Sequence, residues 1–213
     1  MRAAIPTIFV ALCLSAQNQK PETPGMPPRA SAGDYQANAQ AGAVTIGAEF
    51  MGHSVPTAQG TLSTEDYVVI ETGLFGASEA RIKLSAEDFS LRINGKKTAL
   101  PSQPYGLVLQ TLKDPEWDTP ASSASKSKTS IGGAGGGRGK GDPDGPPAPT
   151  PVPIGVRRAM EQRVQKAALP EGDRALPQAG FLFFQYRGKI QGIHSIELIY
   201  SGSAGKATLA LRP

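Results

Sequence analysis

Residues 118–153 constrain this chain more than any other feature of its sequence. They begin with a Ser/Ala/Lys stretch, pass through Gly132-Gly133-Ala134-Gly135-Gly136-Gly137, and end in a proline tract from Pro143 to Pro153. Almost nothing in this composition can be buried, so it cannot offset the entropy of ordering a backbone. The reading is a flexible Gly/Ser/Pro-rich insert, floppy in its first half and extended in its second. A structureless run of this length either separates two domains or interrupts one. The flanks, residues 41–117 and 154–213, are each small for an independent domain without disulfides, so they are expected to share one hydrophobic core.

The first residues have a different order. Met1-Arg2 supplies one positive charge, residues 3–14 are apolar apart from Thr7, and Leu14-Ser15-Ala16 places small residues before Gln17. That order is the pattern of an export signal, here residues 1–16, and its apolar part is too short for a permanent membrane helix. Leu12 before Cys13 disfavours a lipid anchor, since a small residue is expected there. Cleavage after Ala16 would leave a chain without cysteine, which excludes a disulfide framework even in an oxidising compartment. The excess of Lys and Arg over the 18 acidic residues would fall from four to three without Arg2. This balance is mildly basic and lacks the concentrated stripe of a nucleic-acid binder. No other segment is apolar and long enough to span a membrane. Residues 17–40, with Pro21, Pro24, Pro27 and Pro28 among Ala, Gln and Gly, read as a disordered tether.

Between these segments the chain alternates with a period of two. Val44, Ile46, Ala48 and Phe50 share a face, and Asp66 to Phe75 is a nearly continuous β-branched run suited to a central strand. Phe89, Leu91 and Ile93 lead into Asn94-Gly95, a tight-hairpin signal that predicts a returning strand from Lys96 to Leu100. Tyr105, Leu107, Leu109 and Thr111 make another alternating set. Beyond the insert, residues 181–186 (FLFFQY), the Ile196/Leu198/Tyr200 set and the Ala207/Leu209/Leu211 set predict three more strands. One helix is expected over residues 156–168, with Val156, Met160, Val164 and Ala167 on its apolar stripe. A helical turn is expected at Ser85-Ala86-Glu87-Asp88 from its capping chemistry. The fold class read from this pattern is all-β: an immunoglobulin-like sandwich of about 7–8 strands with one short helix and a long disordered insert.

An ordered set of segments carries a resemblance. The run from Tyr67 to Phe75, the segment Leu84-Ser85-Ala86-Glu87-Asp88-Phe89-Ser90-Leu91, and Leu169-Pro170-Glu171-Gly172 followed by Gly180-Phe181-Leu182-Phe183-Phe184 together resemble the telokin-like, immunoglobulin-type domains of bacterial secreted proteins and lipoproteins of unknown function. The resemblance covers about two thirds of the chain after the export signal and rests on structural motifs. It implies a β-sandwich and export, and it transfers no catalytic residue. The insert departs from the family's pattern.

Motifs that would carry chemistry are incomplete. Around Gly139-Lys140 a phosphate loop lacks its first glycine, at Ala134, and its hydroxyl residue, at Gly141. Gly137-Arg138-Gly139-Lys140-Gly141 is one isolated arginine/glycine unit. Asp142-Pro143-Asp144-Gly145 mimics a calcium loop, but the further ligand positions are Lys140 and Pro151. His53 and His194 are the two histidines and have no ligand partner at metal spacing; His53 reads as a solvent-exposed loop residue and His194 as a strand-edge residue. Gly76-Ala77-Ser78-Glu79-Ala80 follows a strand like a serine elbow, yet no helical face follows it. Neither a cofactor nor a metal is expected.

Trp117, the single tryptophan, sits where the fold gives way to the insert. It reads either as a core plug or as an exposed partner anchor. Tyr105 is a further candidate contact. Lys126, Lys128, Arg138 and Lys140 are candidates for weak contact with an anionic envelope polymer, although a few solvated cations screened over about 8 Å favour a spacer instead. The function expected from these features is an exported, non-enzymatic binding, accessory or structural module of a bacterial cell envelope, secreted or periplasmic. Its partner would be an envelope protein or polysaccharide, not nucleic acid, and no transmembrane segment would remain after cleavage. The competing reading is a small hydrolase on a β-sandwich scaffold. A pocket holding a histidine beside a serine and an acid would favour it.

Overall fold

The computed structural model describes residues 25–114 and 153–213. In chain order the strands are β1 (Ala37–Ala41), β2 (Val44–Gly52), β3 (Ser54–Thr57), β4 (Gly60–Thr64), β5 (Tyr67–Phe75), β6 (Arg81–Leu84), β7 (Phe89–Ile93), β8 (Leu100–Gln103) and β9 (Leu112–Lys113). After residues 115–152 come β10 (Gly172–Ala175), β11 (Gln178–Gln185), β12 (Ile196–Gly202) and β13 (Gly205–Leu211). The helices are α1 (Tyr105–Val108) and α2 (Ile154–Ala167), with 3-10 turns at Ala32–Asp34, Ala86–Asp88 and Ile190–Gly192.

Eight strands form one antiparallel sheet in the order β1-β2-β5-β11-β8-β7-β12-β13. Strands from before and after residues 115–152 are therefore neighbours at three of its seven junctions, β5-β11, β11-β8 and β7-β12. The sheet curls like a barrel, so that its two end strands β1 and β13 come side by side. Gln36 Nε2 donates to Arg212 O across this seam at 2.9 Å. The fold is all-β in character, with a three-stranded sheet β3-β4-β9 and a two-stranded ribbon β6-β10 beside the main sheet.

Two hydrophobic cores lie on opposite faces of β5 and β11. Inside the curl, Val68, Ile70 and Leu74 of β5 and Leu182 and Phe184 of β11 meet side chains of β7, β12 and β13, including Phe89, Leu91, Leu198, Tyr200 and Leu209. On the outer face Tyr67, Val69, Phe181 and Phe183 are covered by Met160, Val164 and Ala167 of α2 and by Val55, Leu62 and Val108. A strand covered on both faces has no solvated side to carry polar residues. For this reason β5 and β11 are apolar runs, whereas β7, with its alternating burial, reads Phe-Ser-Leu-Arg-Ile. The expected helix forms as α2, and its buried residues Met160, Val164 and Ala167 belong to the anticipated stripe. Ser85 caps the turn Ala86–Asp88, its hydroxyl accepting from Glu87 N at 3.3 Å.

Three expectations need correction. Tyr105 to Thr111 is not a strand. Leu107 N donates to Pro104 O and Thr111 N to Val108 O, both at 3.0 Å, and these turns place Tyr105, Val108, Leu109 and Leu112 on one face at helical spacing. Val108 is consequently buried, while Leu107 is 48% exposed. Asn94-Gly95 does turn the chain, with φ of 53° and 64° and Lys96 N donating to Ile93 O at 3.2 Å, but the returning strand begins only at Leu100. Asn94 is held by the far loop: its Nδ2 donates to Gly192 O at 2.7 Å, and its Oδ1 accepts from His194 N at 2.7 Å.

The third correction concerns residues 25–40, which composition assigns to a tether. Residues 25–36 are anchored on the outer face of β2 and β5, and residues 37–40 pair with β2 as part of strand β1. The Tyr35 ring lies on Gly47 and Gly73, a directly opposed cross-strand pair; a Cβ at Gly47 would come 2.5 Å from Tyr35 Cδ2, and one at Gly73 would overlap the hydroxyl. Arg29 stacks 4.5 Å over the Tyr35 ring. Its guanidinium donates to both carboxylate oxygens of Glu71, at 3.0 and 2.7 Å, and bridges to Glu49 at 2.5 Å. The hydrogen bonds that Arg29 donates to Glu71 lead the effects that raise its pKa further above the ordinary value. Among the described residues no helix is long and apolar enough to cross a membrane.

Candidate functional site

Two depressions gather polar side chains that the cores do not use. The first is a cavity of about 270 Å³ between the end of β8, the C-terminal turn of α2 and the segment leading into β10. It forms because β8 is short: it pairs with β11 only through Ser102 and Gln103, and α2 leaves its last turn with Leu169 N donating to Phe181 O at 3.0 Å. Between these two attachments β11 borders the cavity, although its Phe181, Leu182 and Phe183 are each only 1% exposed. Phe181, Leu182 and Phe183 line the floor, and Gln103, Tyr105, Gln165, Glu171 and Arg174 stand around it.

The polar groups around the cavity are held from behind. Arg174 Nε donates to Glu171 O at 2.9 Å, so its terminal nitrogens remain for other partners. Glu171 Oε1 accepts from Ala86 N at 3.2 Å, which ties the β10 segment to the turn after β6. An apolar floor with amide, carboxylate and guanidinium groups on its margin suits a ligand with both a ring or aliphatic face and hydrogen-bonding groups.

The second depression is a shallow cleft of about 370 Å³ at the end of the barrel where β5 begins and β11 finishes. His53, Ser63, Glu65, Arg187, Lys189 and Gln191 line it. His53 is half-buried, not a free loop residue as expected, because its Nδ1 sits 2.6 Å from Tyr67 O. A carbonyl only accepts, so Nδ1 carries the hydrogen and the ring is oriented by the backbone. The cleft thus brings together a histidine, a serine and an acid. Their geometry is not that of a triad: Glu65 is engaged with Lys113 at 2.5 Å, and Tyr67 O occupies the position an orienting carboxylate would take. Ser63 pairs with Ser54 in the β3-β4 ladder, whereas its neighbours Leu62 and Thr64 are the buried residues of that strand.

Tyr105 is the one sequence-nominated contact residue placed at a depression, as the first residue of α1. Trp117, Lys126, Lys128, Arg138 and Lys140 lie outside the described residues, as does the segment 1–16. His194 is exposed ahead of β12 and lies at the same end of the barrel as His53. Gly76 to Ala80 turns into β6 and not into a helix. Among the described residues no group of three or more His, Cys, Asp or Glu is placed to hold a metal ion. Sequence reasoning missed Gln103, Gln165, Glu171 and Arg174, which are distant in sequence and meet only because β8, α2 and β10 converge on β11.

Comparison with known proteins finds no matching family model, curated protein or solved structure.

Proposed function

We propose that this chain is an exported, non-enzymatic binding or accessory module of a bacterial cell envelope, and that it takes its ligand in the cavity beside Tyr105. The observation that carries this reading is the cavity's construction, an apolar floor on β11 with Gln103, Gln165, Glu171 and Arg174 converging on it. The partner is an envelope protein or polysaccharide. Export is supported by the order of charge, apolar run and small residues over residues 1–16. An immunoglobulin-like sandwich of the telokin-like kind is the finer fold reading. It is supported by the short β8, which pairs with β11 through Ser102 and Gln103 and with β7 through Leu100 and Pro101, so that the layer β1-β2-β5-β11 faces β7-β12-β13 across one core.

The test immobilises the purified chain and measures retention of soluble envelope polysaccharide fragments and envelope proteins, alongside Tyr105→Ala and Arg174→Gln. Saturable retention that both variants lose, with unchanged circular dichroism, supports the module. Retention indifferent to both variants refutes the cavity as the site. The hydrolase reading is kept for one observation, the shared cleft of His53, Ser63 and Glu65. Turnover of a nitrophenyl ester that disappears in both Ser63→Ala and His53→Ala would replace the binding reading with it.

A further inference from the structure

The barrel end that bears the His53 cleft is basic in a way the other end is not. The loops between β7 and β8 and between β11 and β12 bring Lys96, Lys97, Arg187, Lys189 and His194 to this end. Its acids are already engaged: Glu65 with Lys113 at 2.5 Å, Asp66 with Arg187 at 3.5 Å, and Glu197 with Arg92 at 2.7 Å. Arg187 meets Asp66 loosely and through Nε, which leaves its two terminal nitrogens outside that ion pair. Lys96, Lys97 and Lys189 have no carboxylate partner among the described residues. The opposite end carries five acids, Glu79, Glu87, Asp88, Glu171 and Asp173, against three cations, Arg81, Lys83 and Arg174, on the segments around β6 and β10.

The loop that presents Arg187 and Lys189 is fixed at several points. Tyr186 N donates to Asp66 O at 2.7 Å, and Gly188 lies against the Tyr186 ring, where a Cβ would come 2.5 Å from the hydroxyl. Ile193 N donates to Ile190 O at 2.9 Å and the Ile193 side chain is buried in the inner core. Asn94 closes the loop by bonding Gly192 O, His194 N and Ser195 N. Opposite this loop, His53 is oriented by Tyr67 O. Side chains on a braced loop lose less entropy when they bind, and cations beside a partly enclosed wall attract an anion more than isolated surface lysines do.

We propose that the cleft lined by His53, Arg187, Lys189 and Gln191 is a binding site for a phosphate group. The guanidinium and ammonium supply charge-assisted donors and the Gln191 amide adds a directed one, while His53, whose Nδ1–H is spent on Tyr67 O, presents Nε2 as an acceptor for a protonated phosphate oxygen. The cleft, at about 370 Å³, has room for the phosphate and for a small unit esterified to it, such as glycerol or a monosaccharide. This site is separate from the Tyr105 cavity and does not depend on the reading of that cavity.

The test is a titration of the isotopically labelled full chain, followed by NMR, with inorganic phosphate and separately with glycerol phosphate, at low salt. Saturable shifts at the Arg187, Lys189 and Gln191 amides and the His53 ring are expected, with Kd on the order of millimolar. Arg187→Gln and Lys189→Gln should each weaken binding by about fivefold to tenfold, while Lys206→Gln in β13 should leave it unchanged. Tighter binding of glycerol phosphate supports an esterified phosphate as ligand; equal binding supports the free ion. Linear shifts without saturation, or equal weakening by Lys206→Gln, would overturn the site. So would binding seen only with anionic phosphatidylglycerol vesicles, which would make this end a membrane-contact surface. Loss of the Tyr105-dependent retention leaves this result untouched, so the two proposals fail separately.

Discussion

Replacing Tyr35 tests whether the N-terminal segment is part of the fold. Its ring is 5% exposed, lies on the Gly47–Gly73 pair and meets Phe75 edge-on with centroids 6.0 Å apart. Tyr35→Ala removes that cover and exposes the backbone of two central strands. Loss of a buried aromatic costs about 3–5 kcal/mol, and the Arg29 stacking and the Phe75 contact disappear with it. Tyr35→Phe is the informative companion. Among the described residues no group meets the buried Tyr35 hydroxyl with good hydrogen-bond geometry, the Arg29 backbone being close but poorly aligned, and a buried polar group in that condition costs about 1–3 kcal/mol. Deleting it returns part of that cost and forfeits a little packing against Gly73. Tyr35→Phe should therefore be about 1 kcal/mol more stable than the parent, a rise in Tm of about 3 °C for a domain of this size. Urea unfolding monitored by circular dichroism measures both variants, with the m-value as a check that the unfolded reference is unchanged. A Tyr35→Phe variant less stable than the parent by 1 kcal/mol or more would show that the hydroxyl is satisfied and refute the argument. A Tyr35→Ala variant as stable as the parent would remove residues 25–36 from the cooperative fold.

Four further outcomes follow from the same structure. Among the described residues Thr72 Oγ1, buried in β5, has no hydrogen-bond partner, so Thr72→Val should hold or raise stability by about 1 kcal/mol in the same urea assay. Arg163 ties α2 to Thr57 Oγ1, Gly60 O and Asp114 at 3.1, 3.1 and 2.8 Å, and Arg163→Met should cost about 3 kcal/mol in the same urea assay. Burial raises the Asp88 pKa, so its folded form resists ionisation: stability is fully present below the ordinary carboxylate pKa and declines as pH rises through the raised value. Asp88→Asn should abolish that decline and match the parent only at the acidic end of a pH series of thermal melts. Leu107→Asp should express as a folded protein, whereas Val108→Asp should not, because only Val108 faces the outer core; a reversed outcome in thermal melts would restore the strand reading of Tyr105 to Thr111.

The all-β character, the central strands β5 and β11, the helix α2 and the Ser85 cap were legible because each is a local pattern. A run buried on both faces, a stripe at helical spacing and a serine before two acids announce themselves within about a dozen residues. The same locality misled at Tyr105 to Thr111. Tyr105, Leu107 and Leu109 alternate, but Tyr105, Val108, Leu109 and Leu112 also satisfy helical spacing, and Pro104 with its carbonyl accepting from Leu107 N decides for the turn. Of the Tyr105 cavity, only Tyr105 itself was marked in advance. Its other polar residues are ordinary surface types until β8, α2 and β10 are brought against β11.

What the sequence determined by itself is therefore the set of segments able to bury one or two faces, and the stretches whose composition gives them no face to bury. Tertiary structure alone decided that the outer face of β5 is covered by α2 at one end and by residues 25–36 at the other. It also decided that the strands before and after residues 115–152 interleave, and that a histidine and two cations share one cleft. The physical reason is distance along the chain. Arg29 finds Glu71, Tyr35 finds Gly73 and Asn94 finds Gly192 only after the sheet has closed, and no window of sequence short enough to show a period contains both members of any of these pairs.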